Sequence, residues 1–351
     1  MPPERTRRPT LEEVAARAGV SRSTVSRVIN GEAKVSRASR TVVMHAVDEL
    51  GYVPNMAARS LATRQTNAVA LVVFDQATDG DGDAGTGAGA GTGTGSGDDP
   101  VSAALVHTAG RALQAAGKQV TLMFAGTPDS HRRIAQHIGA GHVDGAVLVG
   151  VHGSGPLTDA LAQSGIPAIA LGRSAPPTAL PYVDADNVEG AATAIRHLLA
   201  RGRRRIAAIG GPRDALAARD RLAGYHDVLR DAGHRPVAVP GDFSRASGAA
   251  AVRWLLSGEP DIDAIFAAND LMAMGALAAL RAAGRRVPDD IAVVGFDDID
   301  GAAYTAPPLT TVHNPVADQA LAAVRLLLAG LEGRPARHLT LPTKLIVRES
   351  A

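Results

Sequence analysis

The chain of 351 residues contains no cysteine. Without thiols it cannot form a disulfide framework, an iron–sulfur cluster or a zinc–thiolate site. This absence fits a reducing compartment.

Long apolar runs are also missing. No segment approaches the roughly 20 apolar residues that cross a bilayer, and the first ten residues, MPPERTRRPT, lack the apolar stretch of a signal peptide. We therefore expect a cytoplasmic protein without a membrane partner.

The formal net charge is only +1, but the charge is unevenly distributed. Residues 1–66 contain eleven Lys or Arg residues against six Asp or Glu residues, so the remaining chain is slightly acidic. A basic segment of this size is suited to binding phosphate groups, although a solvated basic tail has a similar composition. The chain is also too long for one domain, and its length favours two or three.

Residues 10–51 have the pattern of three short helices. Thr10 and Glu13 are spaced as a capping box before the first helix, and Gly19 is placed to end it. Ser21 and Ser36 are expected to cap the second and third helices. Three short helices with a glycine in the first turn indicate a helix-turn-helix.

From residue 68 the apolar pattern changes to short continuous runs that alternate with helical stretches. Repeated strand–helix units predict an α/β fold with two Rossmann-like lobes built on parallel sheets. The predicted strands are 68–74, 120–124, 145–150, 167–171, 205–210, 264–268 and 291–296. The predicted helices include 103–117, 188–201, 214–232, 249–256 and 271–284.

A Gly-rich insertion at 78–99 interrupts this pattern and is predicted to be a disordered loop. Residues 80–85 match a dinucleotide-binding pattern but do not open onto a helix. The acidic start of the insertion imitates a calcium loop, but Ala84 stands where glycine is required. We therefore expect neither a metal nor a cofactor.

Several long motifs closely resemble the lactose-repressor family of bacterial transcription factors. They include LEEVAARAGVSRSTVSRVIN (11–30), DNVEG (186–190), RLAGY (221–225), FAANDLMAMGALAAL (266–280) and VVGFDDID (293–300). The resemblance implies a helix-turn-helix domain over 8–54, a hinge helix and linker over 55–66, and a two-lobed sensor and dimerisation domain over 67–351. The lobes would be similar to those of periplasmic sugar-binding proteins. The implied function is that of a repressor whose binding to operator DNA is controlled by a small molecule.

The resemblance also assigns roles in the head. Arg22, Ser23 and Arg27 occupy the base-reading positions at the second helix, where arginine can bind guanine through two hydrogen bonds. Leu61 is the implied wedge that kinks the minor groove, although a hinge leucine could instead pack on its own sensor. A solvated face with ordinary caps is the alternative for the other residues. The phosphate contacts implied are Ser21, Thr24, Ser26, Asn30, Lys34 and Ser36.

A palindromic operator needs two heads, so a homodimer is expected. The sequence after the last predicted strand shows no leucine heptads of the kind that tetramerise the lactose repressor.

The implied effector is a sugar or sugar derivative, held by groups that bind two hydroxyls at once and by an aromatic face. Arg221, Asn269 and Asp297 match the hydroxyl-binding positions, each expected at a loop or a helix start, and Phe243 matches the aromatic platform. The alternatives are a structural ion pair for Arg221 or Asp297 and an ordinary core ring for Phe243.

Two departures from the family bear on the effector. The family has Asn-Pro-aromatic-aromatic at the start of the first sensor helix, whereas this chain has Asp-Pro-Val-Ser at 99–102. Ala215 and Ala217 stand where the purine repressor has polar contacts, which argues against a purine. A nucleoside effector and a degraded pocket that answers to a protein partner remain alternatives.

Two other classes of protein are disfavoured. An exported sugar-binding protein would need a signal peptide and no basic head. An enzyme would need a nucleophile elbow, a P-loop, zinc-ligand His spacing or a dehydrogenase fingerprint in context, and none is present.

The sequence leaves the direction of the effector's action open. An effector that acts as an inducer would release the protein from DNA, whereas a corepressor would tighten the protein's binding to DNA.

Overall fold

The computed structural model divides the chain into two units, residues 1–66 and 67–351. It describes residues 9–29, 35–53, 65–74, 99–151, 155–173, 180–259 and 261–351. The Gly-rich stretch 78–98 and the implied hinge helix, with Leu61, lie outside these ranges, as do Asn30 and Lys34.

The first unit is built from three helices, α1 (Leu11–Ala18), α2 (Arg22–Ile29) and α3 (Arg37–Leu50). The predicted capping box is confirmed, because Thr10 accepts from Glu13 N while the Glu13 carboxylate accepts from Thr10 N at 2.7 Å. Gly19 ends α1 with φ +64°, a conformation that costs glycine little. The core of the unit is a small apolar cluster that includes Val14, Val25, Val28, Val43 and Ala46.

The second unit contains two six-stranded sheets. The first sheet is built from β1 (Ala68–Phe74), β2 (Gln119–Ala125), β3 (Gly145–Val149), β4 (Ala168–Leu171), β5 (Tyr182–Ala185) and β11 (Leu339–Leu341). The second sheet is built from β6 (Ile206–Ile209), β7 (Val237–Val239), β8 (Ala264–Ala267), β9 (Ala292–Asp297), β10 (Thr310–His313) and β12 (Lys344–Ile346).

Helices accompany the strands of both sheets. They are α4 (Pro100–Ala115), α5 (Pro128–Gly139), α6 (Pro156–Ser164), α7 (Asn187–Ala200), α8 (Leu216–Asp231), α9 (Arg245–Gly258), α10 (Asp270–Ala282) and α11 (Val316–Leu331). A 3₁₀ helix, Asp300–Tyr304, follows β9. The predicted α/β fold with two lobes is confirmed.

All strand pairs are parallel except β10 with β12. The strand orders are β11-β5-β4-β3-β1-β2 and β12-β10-β9-β8-β6-β7. Buried strands such as Ala68–Phe74 read as continuous apolar runs because helices cover both faces of a parallel sheet.

The chain passes between the two sheets three times, after β5, after β10 and after β11. The first passage lies at Asp186 and Asn187, where Asp186 N donates to Leu341 O at 2.8 Å. The second lies at Asn314, whose backbone N donates to Asp297 O at 3.4 Å. The three segments that connect the sheets, after β5, β10 and β11, therefore join the two lobes, and we call them the three-segment joint.

Within the described parts of the chain, no helix combines the length and the apolar character needed to cross a membrane. The same ranges hold no cluster of three or more His, Asp or Glu side chains arranged to ligate a metal ion.

Candidate functional site

Helix α2 presents one apolar and one polar face. Val25 and Val28 are buried, whereas Arg22, Ser23 and Arg27 are exposed. The Arg22 side chain is 71% exposed, and its Nε lies 2.9 Å from an exposed Glu12 carboxylate. A solvated pair of this kind contributes at most about 1 kcal/mol, so it is easily exchanged for another partner of Arg22.

The hydroxyl groups around the start of α2 form a local network. Ser21 Oγ accepts from Thr24 N at 3.2 Å and lies 2.8 Å from the hydroxyls of Ser23 and Thr24. Ser36 caps α3 by accepting from Ser39 N at 3.1 Å. Both predicted caps are therefore present, and these residues already have a structural role.

A cavity of about 500 Å³ lies between the two lobes of the second unit. Arg221, Phe243, Asn269 and Asp297, which the sequence assigned to an effector, all line it. The cavity is within the size range of small-molecule sites. Effector contact by these four residues stays a prediction.

The guanidinium of Arg221 joins a group of polar side chains that line the cavity, here called the cavity floor, which includes Asn187, Asp297 and Asn314. Its Nε donates to Asn187 Oδ1 at 2.8 Å, its Nη1 to Ala268 O at 2.6 Å, and its Nη2 to Asp297 Oδ1 at 3.0 Å. The group also lies 3.7 Å from the ring centroid of Phe296. Arg221 lies in the second turn of α8, so the expectation of a loop or helix start was wrong for this residue.

Asp297 ends β9 with a strained backbone, φ +107°, and its side chain is 8% exposed. Burial raises the pKa of Asp297, and the Arg221 charge opposes that rise. Asn314 Nδ2 also donates to Asp297 Oδ1 at 3.1 Å. The ion pair between Arg221 and Asp297 is present, and it forms part of the cavity floor.

Phe243 is held in place from two sides. Its φ is +68°, and Asn269 Nδ2 donates to its carbonyl at 3.0 Å. A Cβ on Gly211 would lie 2.4 Å from Phe243 Cε1, so the ring packs directly on that glycine. Asn269 Oδ1 meanwhile accepts from Met272 N at 2.9 Å and caps α10. Asn269 therefore positions the Phe243 backbone as well as lining the cavity.

A chain of polar contacts that the sequence does not indicate runs along the cavity floor. Arg173 Nε lies 3.7 Å from Asp184 Oδ2, and Asn187 Nδ2 donates to Asp184 Oδ1 at 3.1 Å. Gln319 continues the chain by donating to Asn314 Oδ1. Asn187 belongs to the sequence motif DNVEG (186–190), but only the fold shows that it meets Arg221.

Asp270 lies behind this floor and is almost fully buried. Thr311 Oγ1 donates to its Oδ1 at 2.6 Å, and Ile299 N donates to its Oδ2 at 2.9 Å. Burial, with repulsion from Asp297 as the second cause, raises the pKa of Asp270 to about 8. At neutral pH this carboxyl group is therefore largely protonated.

A helix-turn-helix unit followed by a two-lobed unit with a polar cavity defines a DNA-binding regulator with a small-molecule sensor. Residues 10–55 match the family model of bacterial regulatory proteins of the lacI family, and residues 195–351 match that of the periplasmic binding protein-like domain. The chain is 44% identical to the HTH-type transcriptional regulator CelR of Thermobifida fusca over 99% of each chain. It is 32% identical to the ribose operon repressor of Halalkalibacterium halodurans over 97% of this chain and 96% of that one.

Two solved structures are similar over almost the whole chain. A CelR–cellobiose complex has a TM-score of 0.73 and 41% identity, and the match covers 98% of this chain and all of that one. A lac repressor dimer bound to operator and the anti-inducer ONPF has a TM-score of 0.83 and 28% identity, with 98% and 99% covered. The chain belongs to the lacI family of bacterial transcription regulators.

The raised pKa of Asp270 predicts a pH-dependent stability of the sensor. Protonated Asp270 favours the folded state, so its contribution is complete below the ordinary pKa of 3.8 and is lost as the pH rises through 8. Asp270→Asn should flatten the fall in unfolding free energy from about pH 5 to about pH 9, measured by urea denaturation.

The matched control is Asp290→Asn. Arg286 holds the pKa of this partly exposed carboxyl below its ordinary value, so the substitution should leave the pH dependence of the unfolding free energy between about pH 5 and about pH 9 unchanged. Equal pH slopes for Asp270→Asn and the unmodified protein would contradict the assignment.

Proposed function

We propose that this regulator is a repressor that binds a palindromic operator as a homodimer and is switched by an uncharged saccharide in the lobe cavity. The proposal rests on the cavity floor, where Arg221 and Asp297 lie side by side as a hydrogen-bond donor and an acceptor. Ligand hydroxyls are both donors and acceptors, so they suit such a pair. The similarity to the CelR–cellobiose complex supports this effector class.

For the head, we propose that Arg22, Ser23 and Arg27 read bases in the major groove. They share the exposed face of α2, opposite its buried valines. Ser21, Thr24, Ser26 and Ser36 are proposed phosphate contacts, because hydroxyl contacts to phosphate fix the register on DNA without reading its sequence. The proposed roles of Asn30, Lys34 and Leu61 rest on the sequence resemblance.

The dimer is supported by exposed apolar side chains on both lobes. Leu122 and Phe124 are 46% and 58% exposed on β2, which is an edge strand of the first sheet. Tyr304, on the 3₁₀ helix of the second lobe, is 86% exposed. An uncovered apolar edge favours association, and the similar lac repressor was solved as a dimer on its operator. A second copy of the chain is the proposed partner of these residues.

The charges around the cavity favour an uncharged ligand. Among the described residues that line it, the four carboxyl groups outnumber the three guanidinium groups; the acidic residues are Asp99, Asp184, Asp242 and Asp297. Arg221 is bonded to Asp297, Arg173 contacts Asp184 and Asp220, and Arg245 Nη2 lies 3.7 Å from Met274 Sδ. Two of these guanidinium groups are thus paired with carboxylates, so among the described lining residues a phosphoryl group would find the exposed Arg245 beside four carboxyl groups, which disfavours it.

The other functions receive less support. Ala215 and Ala217 line the cavity without side-chain hydrogen-bonding groups, which disfavours a purine. Asp297 and Asp298 diverge, since Asp298 contacts Arg348 and His313, so they do not form a catalytic carboxylate pair. We propose that the protein acts by binding, without catalysis, in the cytoplasm.

Replacing Arg22 tests the base-reading proposal. Selection of bound DNA from a random pool should return a palindrome with the unmodified protein, and Arg22→Ala should relax the preference at one position in each half-site. Loss of a two-bonded arginine–guanine contact reduces discrimination by about 1–3 kcal/mol. Arg17→Ala is the control, because it removes an equal charge that pairs with Glu49. An unchanged sequence preference in Arg22→Ala would show that the assignment is wrong.

A thermal-shift panel tests the effector class. Cellobiose at a hundredfold excess over its Kd should stabilise the sensor by about 2.7 kcal/mol, or roughly 5–10 °C in Tm. Phosphorylated glucose and gluconate should give no shift, because their charge faces carboxylates. A larger shift with a sugar phosphate than with any neutral sugar would overturn the uncharged-effector proposal.

A further inference from the structure

The wall of the cavity that the first lobe supplies is unusual in its composition. Val101 and Ser102, at the start of α4, line the cavity with small side chains. The aromatic ring on this side belongs instead to Phe74, the last residue of β1. The second lobe supplies Phe243 to the same cavity. Each lobe therefore brings one phenylalanine to the space between them.

Phe74 lies where a ligand-facing side chain is expected in a parallel sheet. Sites in open α/β sheets lie at the carboxyl ends of the strands, and β1 ends at this residue. Ala70 and Val72 precede it on the same face of the strand and are fully buried, whereas Phe74 is only half-buried. Phe74 packs against this same core cluster, but part of its side chain remains exposed.

Described residues of three chain segments lie beside Phe74. His131 of α5 lies behind it, with ring centroids 5.6 Å apart and planes inclined at 59°. A Cβ on Gly150 would lie 3.3 Å from Phe74 O and 3.8 Å from Ser102 Oγ, so three chain segments meet closely here. Among the described residues beside the end of β1, positions 102 and 150 are a serine and a glycine.

We propose that Phe74 is the first lobe's stacking surface for the saccharide, paired with Phe243 of the second lobe. This proposal rests on the proposed saccharide effector. A saccharide presents apolar C–H faces as well as hydroxyls, and an aromatic face buries such a patch without leaving polar groups unpaired.

Because each lobe supplies one ring, the affinity for the ligand depends on the relative position of the lobes. A ligand that contacts both rings gains its full affinity only when the lobes hold both at contact distance, so it favours that arrangement over others. Phe74 is accordingly a specificity residue for ligands long enough to contact both lobes. Saccharides that contact Phe243 alone should not depend on it.

The test compares Phe74→Leu and Phe74→Tyr by isothermal titration with cellobiose on the full-length protein. Leucine keeps the apolar character but removes the aromatic face, so the Kd should rise at least about tenfold. Tyrosine retains the face, so its Kd should stay within about threefold of the unmodified protein. Tyr182→Leu is the matched control, because it removes a half-buried ring from the same sheet outside the cavity.

The apo melting temperature separates stacking from a purely structural role. A structural role would lower the Tm of ligand-free Phe74→Leu and leave its cellobiose affinity close to that of Tyr182→Leu. Unchanged affinity in Phe74→Leu, with weakened binding in Phe243→Leu, overturns the role of Phe74 and leaves the proposed function standing. Absence of binding by the unmodified protein to cellobiose and to the neutral sugars of the thermal-shift panel overturns both.

Discussion

The buried guanidinium of Arg221 determines how the cavity floor can be arranged. Removing such a charge from water costs several kcal/mol unless its donors are satisfied. Here Asn187, Ala268 and Asp297 accept from its three nitrogens, and the side chain is 7% exposed. Each acceptor belongs to a different segment, so satisfying this one group fixes the start of α7 and the ends of β8 and β9 together.

These contacts would allow the proposed ligand to influence the lobes. Asn187 lies at the first passage between the sheets, and Asn314, which donates to Asp297, lies at the second. A hydroxyl that competes for Arg221 or Asp297 therefore acts directly on two of the three joint segments. Such differential contact is what allows a small molecule to shift a conformational equilibrium, with coupling typically of 1–3 kcal/mol.

Local sequence chemistry was sufficient for the three helices of the head and for most buried strands, but it missed the four-residue buried strands β5 and β10, whose runs YVDA and TTVH mix polar with apolar residues. Thr10 and Glu13 determine the start of α1 through contacts three residues apart, so the sequence predicted them. Three-residue edge strands such as Val237–Val239 carry too little pattern to be singled out. Phe74 and Asp270 were missed for another reason. Exposure of a ring to a cavity and repulsion between carboxyl groups depend on segments that only the fold brings together.

We propose that saccharide binding in the cavity is coupled to operator binding. The most direct measurement is the Kd for the selected operator at fixed salt, with and without saturating saccharide, by fluorescence anisotropy. The operator Kd should change at least about fivefold, which corresponds to roughly 1 kcal/mol of coupling. An operator Kd that stays the same while the saccharide demonstrably occupies the cavity would contradict it.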